Sequence, residues 1–436
     1  MRSLSQGAQI VDGRLSGASF LKQRRLQTVF ALLNADGEEA RAVGGAVRNA
    51  LLGEPVADID IATTALPQLV VARAKAAGVR AIPTGIEHGT VTLLVDGETF
   101  EVTTLRQDIA TDGRRAVVEF GRDFEADAQR RDFTINALSV NADGVVFDYC
   151  NGLADIAARH VRFIGDAGQR IREDYLRILR LFRFHAAYGE GAVERDALQA
   201  AIGLRDGLQQ LSRERVRMEL LKLLQARRAP QAVSDMLDAG LLGPMLAGVA
   251  SPARLARMMA IEAQEALPDD RGIDAIRRLM AMGVEVQEDA ARLRERLRLS
   301  NAEEVRLAQA MAVFAAIRSL RYPAEPPPPS ELFRLLFLYG RMAARDGAAY
   351  AHAANLAAPD DGRWASVHAF LRDTPEPRLP FTGADLVQRG LVSGPAIGAA
   401  LKRLQAAWIR AGFPREPEVL ARLLEDCVDP AHTPRV

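Results

Sequence analysis

Two kinds of hydrophobic pattern divide the chain. Between about residues 41 and 165, short β-rich runs mix with helical spacing, whereas from about residue 166 onward the apolar positions recur with helical period and Ala, Leu and Arg dominate. This pattern predicts an α+β fold, an α/β head followed by an all-α remainder. In the head, GTVTLLV and TFEVTTL flank Asp96-Gly97, a pair that accepts the positive φ of a tight turn, so a hairpin is predicted there. A second hairpin is expected around Asp143-Gly144. Ahead of the head, Phe20, Leu21, Leu26, Val29, Phe30 and Leu33 recur at roughly helical spacing and predict an N-terminal helical segment over residues 1–40.

The expected organisation is therefore a helical segment at 1–40, a head at 41–165, and three helical regions at 166–240, 241–325 and 326–436. The last boundary rests on YPAEPPPPS, residues 322–330, where clustered prolines favour an extended linker. A turn-rich stretch at 372–383 precedes a final helical segment, and no repeat has a solenoid period.

Composition narrows the class. A chain of 436 residues with 48% hydrophobic content is longer than one core usually grows and is not disordered. Lys+Arg and Asp+Glu each total 56, so any contact with a polyanion must come from local patches and not from net charge. Cys150 and Cys427 make neither a disulfide framework nor a metal cluster, which suits a reducing compartment. No apolar run is long enough to span a bilayer, and MRSLSQGAQIVDGRL lacks the apolar core of a secretory signal. A cytoplasmic protein with no membrane partner is expected, although Arg2, Arg14, Arg24 and Arg25 in an acid-poor start are features that a mitochondrial transit peptide shares.

The candidate chemistry begins with GGAVRNALLGEPVADIDIAT, residues 44–63. Gly44 and Gly45 end a predicted strand and open a helix, a geometry that lets a phosphate approach bare N–H groups, and Arg48 in the first turn adds a charge-assisted contact. Residues two apart on a strand share a face, so Asp58 and Asp60 lie together while Ile59 and Ile61 turn to the core. Two like charges on an apolar strand call for a cation. Mg²⁺ fits both that need and the chemistry of nucleotidyl transfer, in which metals stabilise the attacking hydroxyl and the leaving pyrophosphate. Glu101, on the strand-like FEVTTLR, is the preferred third carboxylate, with Asp96 and Glu98 as competitors.

QRRDFTINALSV, residues 129–140, places Arg130, Arg131 and Asp132 at the edge of an apolar run. One of the arginines is a candidate for triphosphate, and Asp132 for a ribose hydroxyl. In IREDYLRILRLFRF, residues 171–184, Arg177, Arg180 and Arg183 recur every three residues and form a slanting stripe on a helix. Asp174 lies one turn before Arg177. A carboxylate accepts from the exocyclic amino group of cytosine or adenine while a guanidinium donates to a ring N or O, so the pair forms a candidate reader of C and A that rejects uracil and guanine. SRERVRMELLKLL, residues 212–224, predicts an amphipathic helix with a Ser N-cap and basic residues Arg213, Arg215, Arg217 and Lys222.

The ordered set GGAVR, DID, FEVTTLR, RRDFTINA, EDYLRILRLFRF and SRERVRMEL resembles the class II tRNA nucleotidyltransferase and bacterial poly(A) polymerase family over roughly residues 40–225. The resemblance implies a polymerase-β-like nucleotidyltransferase head, a helical neck with the base-reading motif, and helical body and tail domains that grip tRNA. It makes Asp58 and Asp60 metal ligands. It sets Gly45, Arg48 and Arg131 against triphosphate and sugar, and lines the nucleotide pocket with Asp174, Arg177, Arg180 and Arg183. The stretch from Asp112 to Arg115 resembles the flexible loop of full CCA-adding members, and LPFTGADLVQRGLVSGPAIGAALKRLQAAW their tail. One departure is Asn49, where the family commonly has Asp. The expected activity is addition of C, C and A to tRNA 3′ ends from CTP and ATP. The alternatives are a poly(A) polymerase, a partial CC-adding or A-adding enzyme, and a catalytically silent RNA-binding protein. The mixed charge of the last stretch and the intact Asp58 and Asp60 argue against the first and last of these.

Overall fold

Ala42, Ile61, Val102 and Val91 pair in register across four neighbouring strands and are each buried, and this shared apolar row is what assembles the head. The computed structural model describes residues 9–11, 13–112, 115–265, 274–320, 325–355, 357–391 and 394–428, the side chains of 9–11, 107–119 and 428 excepted. The chain divides into two compact units, Met1–Met245 and Leu246–Val436.

The first unit opens with an antiparallel pair, β1 (Gln9–Val11) and β2 (Arg14–Ser16), and then helix α1 (Arg24–Leu33). Leu26, Val29, Phe30 and Leu33 are buried along α1, as their spacing predicts, but Phe20 and Leu21 belong to a separate 3-10 turn at Ser19–Lys22. The N-terminal segment is thus part strand and part helix. β3 (Ala40–Val43), α2 (Gly45–Leu52), β4 (Asp60–Thr63), α3 (Pro67–Ala76), β5 (Arg80–Gly85), β6 (Thr90–Val95) and β7 (Glu98–Thr104) follow. Next come the β8 (Arg106–Asp112) and β9 (Arg115–Phe120) pair, α4 (Phe124–Gln129), β10 (Ser139–Val140), β11 (Val146–Phe147) and α5 (Gly152–Ala157).

The main sheet runs β11-β10-β3-β4-β7-β6-β5 and is antiparallel except for the β4–β7 pair, which is parallel. That parallel register sets Asp60 directly beside Glu101. The β6–β7 hairpin turns at Asp96-Gly97 with φ of 49° and 85°, and the β10–β11 hairpin turns through Gly144 at φ 83°, both where the sequence predicts them. Gly113 and Arg114, the centre of the loop expected at Asp112–Arg115, lie outside the described residues.

The helical part of this unit contains α6 (Ala167–Glu173), α7 (Leu176–Tyr188), α8 (Arg195–Gly203), α9 (Arg213–Gln225) and α10 (Ala229–Asp238). α7 buries Ile178, Leu179, Leu181, Phe182 and Phe184 against α9 and α10 and leaves Arg177, Arg180 and Arg183 half-buried at the margin of that face. Ser212 caps α9 by accepting from the Arg215 N–H at 3.4 Å, and Val216, Leu220, Leu223 and Leu224 form its buried stripe.

A short helix, α11 (Leu242–Leu246), carries the chain across the unit boundary. The second unit is helical among its described residues, with α12 (Pro252–Gln264), α13 (Ala275–Gly283), α14 (Asp289–Leu297), α15 (Asn301–Arg318) and α16 (Pro329–Ala354), then α17 (Gly362–Asp373), α18 (Gly383–Gln388), α19 (Pro395–Arg410) and α20 (Pro417–Val428). α15 and α16 pack so closely at Gly347 that a Cβ there would stand 2.5 Å from the Val313 side chain. The proline stretch at 322–330 therefore joins two packed helices of one unit. Residues 322–324 lie outside the described residues, while Pro328 caps α16 and Pro329 occupies its first turn, where a missing N–H costs nothing. In the last segment Phe381, Leu386, Ala400, Leu404, Trp408 and Leu424 form a small core of their own.

Buried charge stitches the helices of this unit together. Arg277 bonds Asp346 at 2.9 Å and Glu265 at 3.1 Å, and Arg306 holds Asp346 at 2.6 Å and Asp274 at 2.5 Å. His368 lies 3.2 Å from Glu265, and its other ring nitrogen meets His352 at 3.1 Å.

Candidate active site

The strand-to-helix turn predicted at Gly44-Gly45 joins β3 to α2. Gly44 sits at φ 62°, ψ −110°, a conformation that an L side chain resists, and α2 begins without a side-chain cap on its first N–H groups. Those groups are free for an acceptor, and the helix dipole favours an anion there. A Cβ on Gly44 would stand 3.2 Å from Arg131 Nη1 and 3.3 Å from the Asn136 carbonyl, and one on Gly45 would stand 3.7 Å from Arg48 Nη2. The two bare glycines thus lie between two guanidinium groups.

One strand further, Val43 pairs with Asp60 and Asp60 pairs with Glu101, so the turn and the carboxylates share one end of the sheet. The predicted alternation holds. Ile59 and Ile61 are buried while Asp58 and Asp60 are exposed, with Asp58 just ahead of the strand. Surrounding protein strips enough water from Asp60 to raise its carboxyl above the usual range, the charges of Glu101 and then Asp58 push the same way, and Arg131 opposes them. Neither Asp58, Asp60 nor Glu101 is in a salt bridge among the described residues, and no three His, Cys, Asp or Glu side chains there are gathered closely enough to hold an ion unaided. Unpaired hard oxygen donors under mutual repulsion fit a divalent cation such as Mg²⁺, with Asp58 and Asp60 as its protein ligands and the remaining positions left to water and substrate.

The RRD segment and the α7 stripe converge, but with partners other than those expected. Arg131 bonds Asp127 at 3.1 Å and reaches the Asn136 carbonyl at 3.4 Å, which holds it beside Gly44. Arg130 turns to the other Asp127 oxygen, so Arg131 is the arginine that faces the turn. Asp132 is buried and accepts from Arg180 Nε at 2.7 Å, from the Phe133 N–H at 2.9 Å and from Asn136 Nδ2 at 3.1 Å. Burial would raise its carboxyl, yet Arg180 and these bonds hold it below the usual range. With its acceptors committed to protein, Asp132 braces Arg180.

Asp174 and Arg177 do not bond each other. Asp174 ends α6 in extended conformation and accepts from Arg215 at 2.7 Å, while Arg177 folds back onto Glu173 and the Arg170 carbonyl. Arg180 reaches the head through Asp132, and Arg183 follows it one turn on. Glu219 sits 2.5 Å from Arg183 and 3.7 Å from Arg180, and Phe184 lies beneath both guanidiniums. Glu219 and Asn136 escape the sequence reading. The signal for Glu219 is an acid inside the apolar stripe of α9, between Val216 and Leu220. For Asn136 it is the i,i+4 relation to Asp132.

This sheet, with an uncapped glycine turn and an acidic pair at one end, is the arrangement of a nucleotidyltransferase head. Residues 40–162 match the model of the poly A polymerase head domain, and residues 192–251 match that of the probable RNA and SrmB-binding site of polymerase A. The chain is 34% identical to the mitochondrial CCA tRNA nucleotidyltransferase 1 of mouse over 401 residues, covering 91% of this chain and 88% of that one. It is 41% identical over 219 residues to the CCA-adding enzyme of Leuconostoc citreum, about half of each chain. The Bacillus stearothermophilus CCA-adding enzyme, solved in complex with CTP, superposes with a TM-score of 0.71 at 29% identity, covering 92% of this chain and 96% of that one. The chain belongs to the family of CCA-adding tRNA nucleotidyltransferases.

Proposed function

We propose that this enzyme adds C, C and A in turn to tRNA 3′ ends from CTP and ATP, releasing pyrophosphate, with Mg²⁺ at Asp58 and Asp60. The observation that carries the chemistry is the unpaired acidic pair beside an uncapped helix N-terminus flanked by Arg48 and Arg131. The likeness to the mouse enzyme over nearly all of both chains carries the acceptor. When bound, the ion offsets the carboxylate charge and stabilises the developing charge on the attacking and leaving oxygens. The protein's own groups hold the rest. The first N–H groups of α2 receive the triphosphate, Arg48 and Arg131 contribute the charge, and Arg180 and Arg183 present guanidinium donors to the base. Asp132 and Glu219 fix those two arginines in a rigid frame, so selection does not depend on mobile side chains. Asp174 and Arg177 line the start of α7, where exchange of Asp174 from Arg215 to a base amino group would complete C and A reading. Glu101 serves as the third carboxylate, supported by its register beside Asp60. No helix of the described residues is long and apolar enough to cross a membrane. Both cysteines are unpaired, and we assign the cytoplasm as a reducing compartment consistent with that.

The test uses tRNA transcripts that lack the 3′ CCA, supplied with CTP, ATP or both, with product length read on a gel. CTP alone should add two residues and the mixture three. Long A tails, or extension of unstructured RNA, would move the assignment to a poly(A) polymerase, and arrest after two residues in the mixture to a CC-adding enzyme. Asp58→Ala should abolish incorporation while filter binding of tRNA survives.

A further inference from the structure

Arg48 is a buried cation without a counter-anion. Its side chain is 6% exposed, and the groups that receive its hydrogen bonds are all neutral. Nε and Nη2 donate to Asn49 Oδ1 at 3.1 and 2.8 Å, Nη1 donates to Asn136 Oδ1, and Nη2 donates to the Tyr188 hydroxyl at 2.9 Å. The Tyr188 ring also lies 4.1 Å beneath the guanidinium carbon, with Phe184 at 5.2 Å. Among the described residues no carboxylate comes within salt-bridge distance of it. Burial pushes the guanidinium down from its ordinary value, with the Arg183 charge acting the same way and Tyr188 and the more distant Asp132 opposing it. The carboxylate that the charge feels, Asp132, acts on it across Asn136 and not in direct contact; a buried charge so placed is costly, and an arriving anion lowers that cost.

Tyr188 closes α7, eight residues beyond Arg180 and four beyond Phe184, so the three lie along one face of the helix. That face carries a base-facing arginine near one end and, about 12 Å further on, the phenol that grips Arg48. We propose that Tyr188 is a positioning residue for nucleotide binding. It fixes Arg48 under the Gly44-Gly45 turn by a hydrogen bond and a ring face while leaving its charge open for the triphosphate. Asn49 Oδ1 accepts from Nε and Nη2 and so braces the guanidinium from a second side, at a position where the family commonly has Asp. The inference rests on the reading of Arg48 as a phosphate contact.

The experiment measures KM and kcat for CTP and for ATP during tRNA extension, with melting temperatures recorded in parallel. Tyr188→Phe keeps the ring and removes only the acceptor. KM should rise about fivefold, the size of one net hydrogen bond, by the same factor for CTP and ATP because the phosphates are common to both. kcat and rejection of UTP should hold. A Tyr188→Phe enzyme with unchanged KM, a change for one nucleotide alone, or a lowered melting temperature with KM intact would each overturn the proposal. Arg48→Lys separates the two levels. If it raises KM while Tyr188→Phe does not, only the positioning role falls; if it leaves KM unchanged, the phosphate reading of Arg48 falls and the positioning role with it.

Discussion

Replacing Gly44 by Ala perturbs the turn at the one backbone position the site cannot spare. At φ 62°, ψ −110° a side chain costs about 1–3 kcal/mol in backbone strain alone. The added methyl then meets Arg131 Nη1 at 3.2 Å and the Asn136 carbonyl at 3.3 Å. The arginine tip can retreat, but the carbonyl belongs to a 3-10 turn at Thr134–Asn136 and cannot, which adds about 1 kcal/mol of overpacking. A loss of about 2–4 kcal/mol is therefore expected. Gly78→Ala supplies the reference. Gly78 has φ 71° with nothing within 4 Å of its Cβ position, so it bears backbone strain without crowding and lies away from the carboxylates. Unfolding free energies from urea titration of the two variants should differ by at least about 1 kcal/mol, with unchanged slopes. Under conditions where both remain folded, Gly44→Ala should lose at least about a hundredfold in kcat/KM for CTP, because a shift of the turn moves the N–H groups and Arg131 together. Gly78→Ala should lose almost none. If Gly44→Ala proves no less stable than Gly78→Ala and extends tRNA normally, the phosphate turn has been assigned to the wrong place.

Three further outcomes follow from the charges. The raised carboxyl of Asp60 protonates at a higher pH than an ordinary aspartate, so at low divalent concentration the acid limb of the activity profile should lie above the usual aspartate range and move down in Glu101→Gln, where one repelling charge is gone; an unmoved limb would detach Glu101 from the site. In the second unit, Asp346→Ala removes one of the two carboxylates held by each of Arg277 and Arg306 and should cost about 1–3 kcal/mol by calorimetry or urea, whereas the exposed Asp373→Ala should cost almost nothing. His368 is held neutral by burial with its folded value brought from 6.5 down to about 4, so the unfolded chain takes up the proton first as pH falls. Its contribution is intact above pH 6.5 and is lost towards pH 4, at most about 3 kcal/mol, and a His368→Gln variant should flatten that part of the stability profile.

What could be read from the sequence follows the range of the forces involved. The Asp96-Gly97 turn, the buried stripe of α1 and the Asp58/Asp60 alternation are fixed by neighbours a few residues away, and each forms where local spacing predicts. Pairings across the fold are not local. Asp174 and Arg177 stand three residues apart, close enough on one helix to invite a pairing, but the chain breaks between α6 and α7 at Asp174. The carboxylate therefore meets Arg215, 41 residues on, and Arg177 settles on Glu173 four residues back. Asp132 went to Arg180 for the same reason, since a buried acid must find a cation and the nearest one in space lies 48 residues away in sequence. These substitutions of partner share a direction. Each ties an arginine of α7, or the acid ahead of it, to a protein carboxylate or guanidinium. Arg48 alone among the candidate cations is buried with none. The charges that frame the base are thus internally balanced and the one beneath the phosphate turn is not. That difference suits a site whose base partner changes from C to A while its triphosphate stays the same.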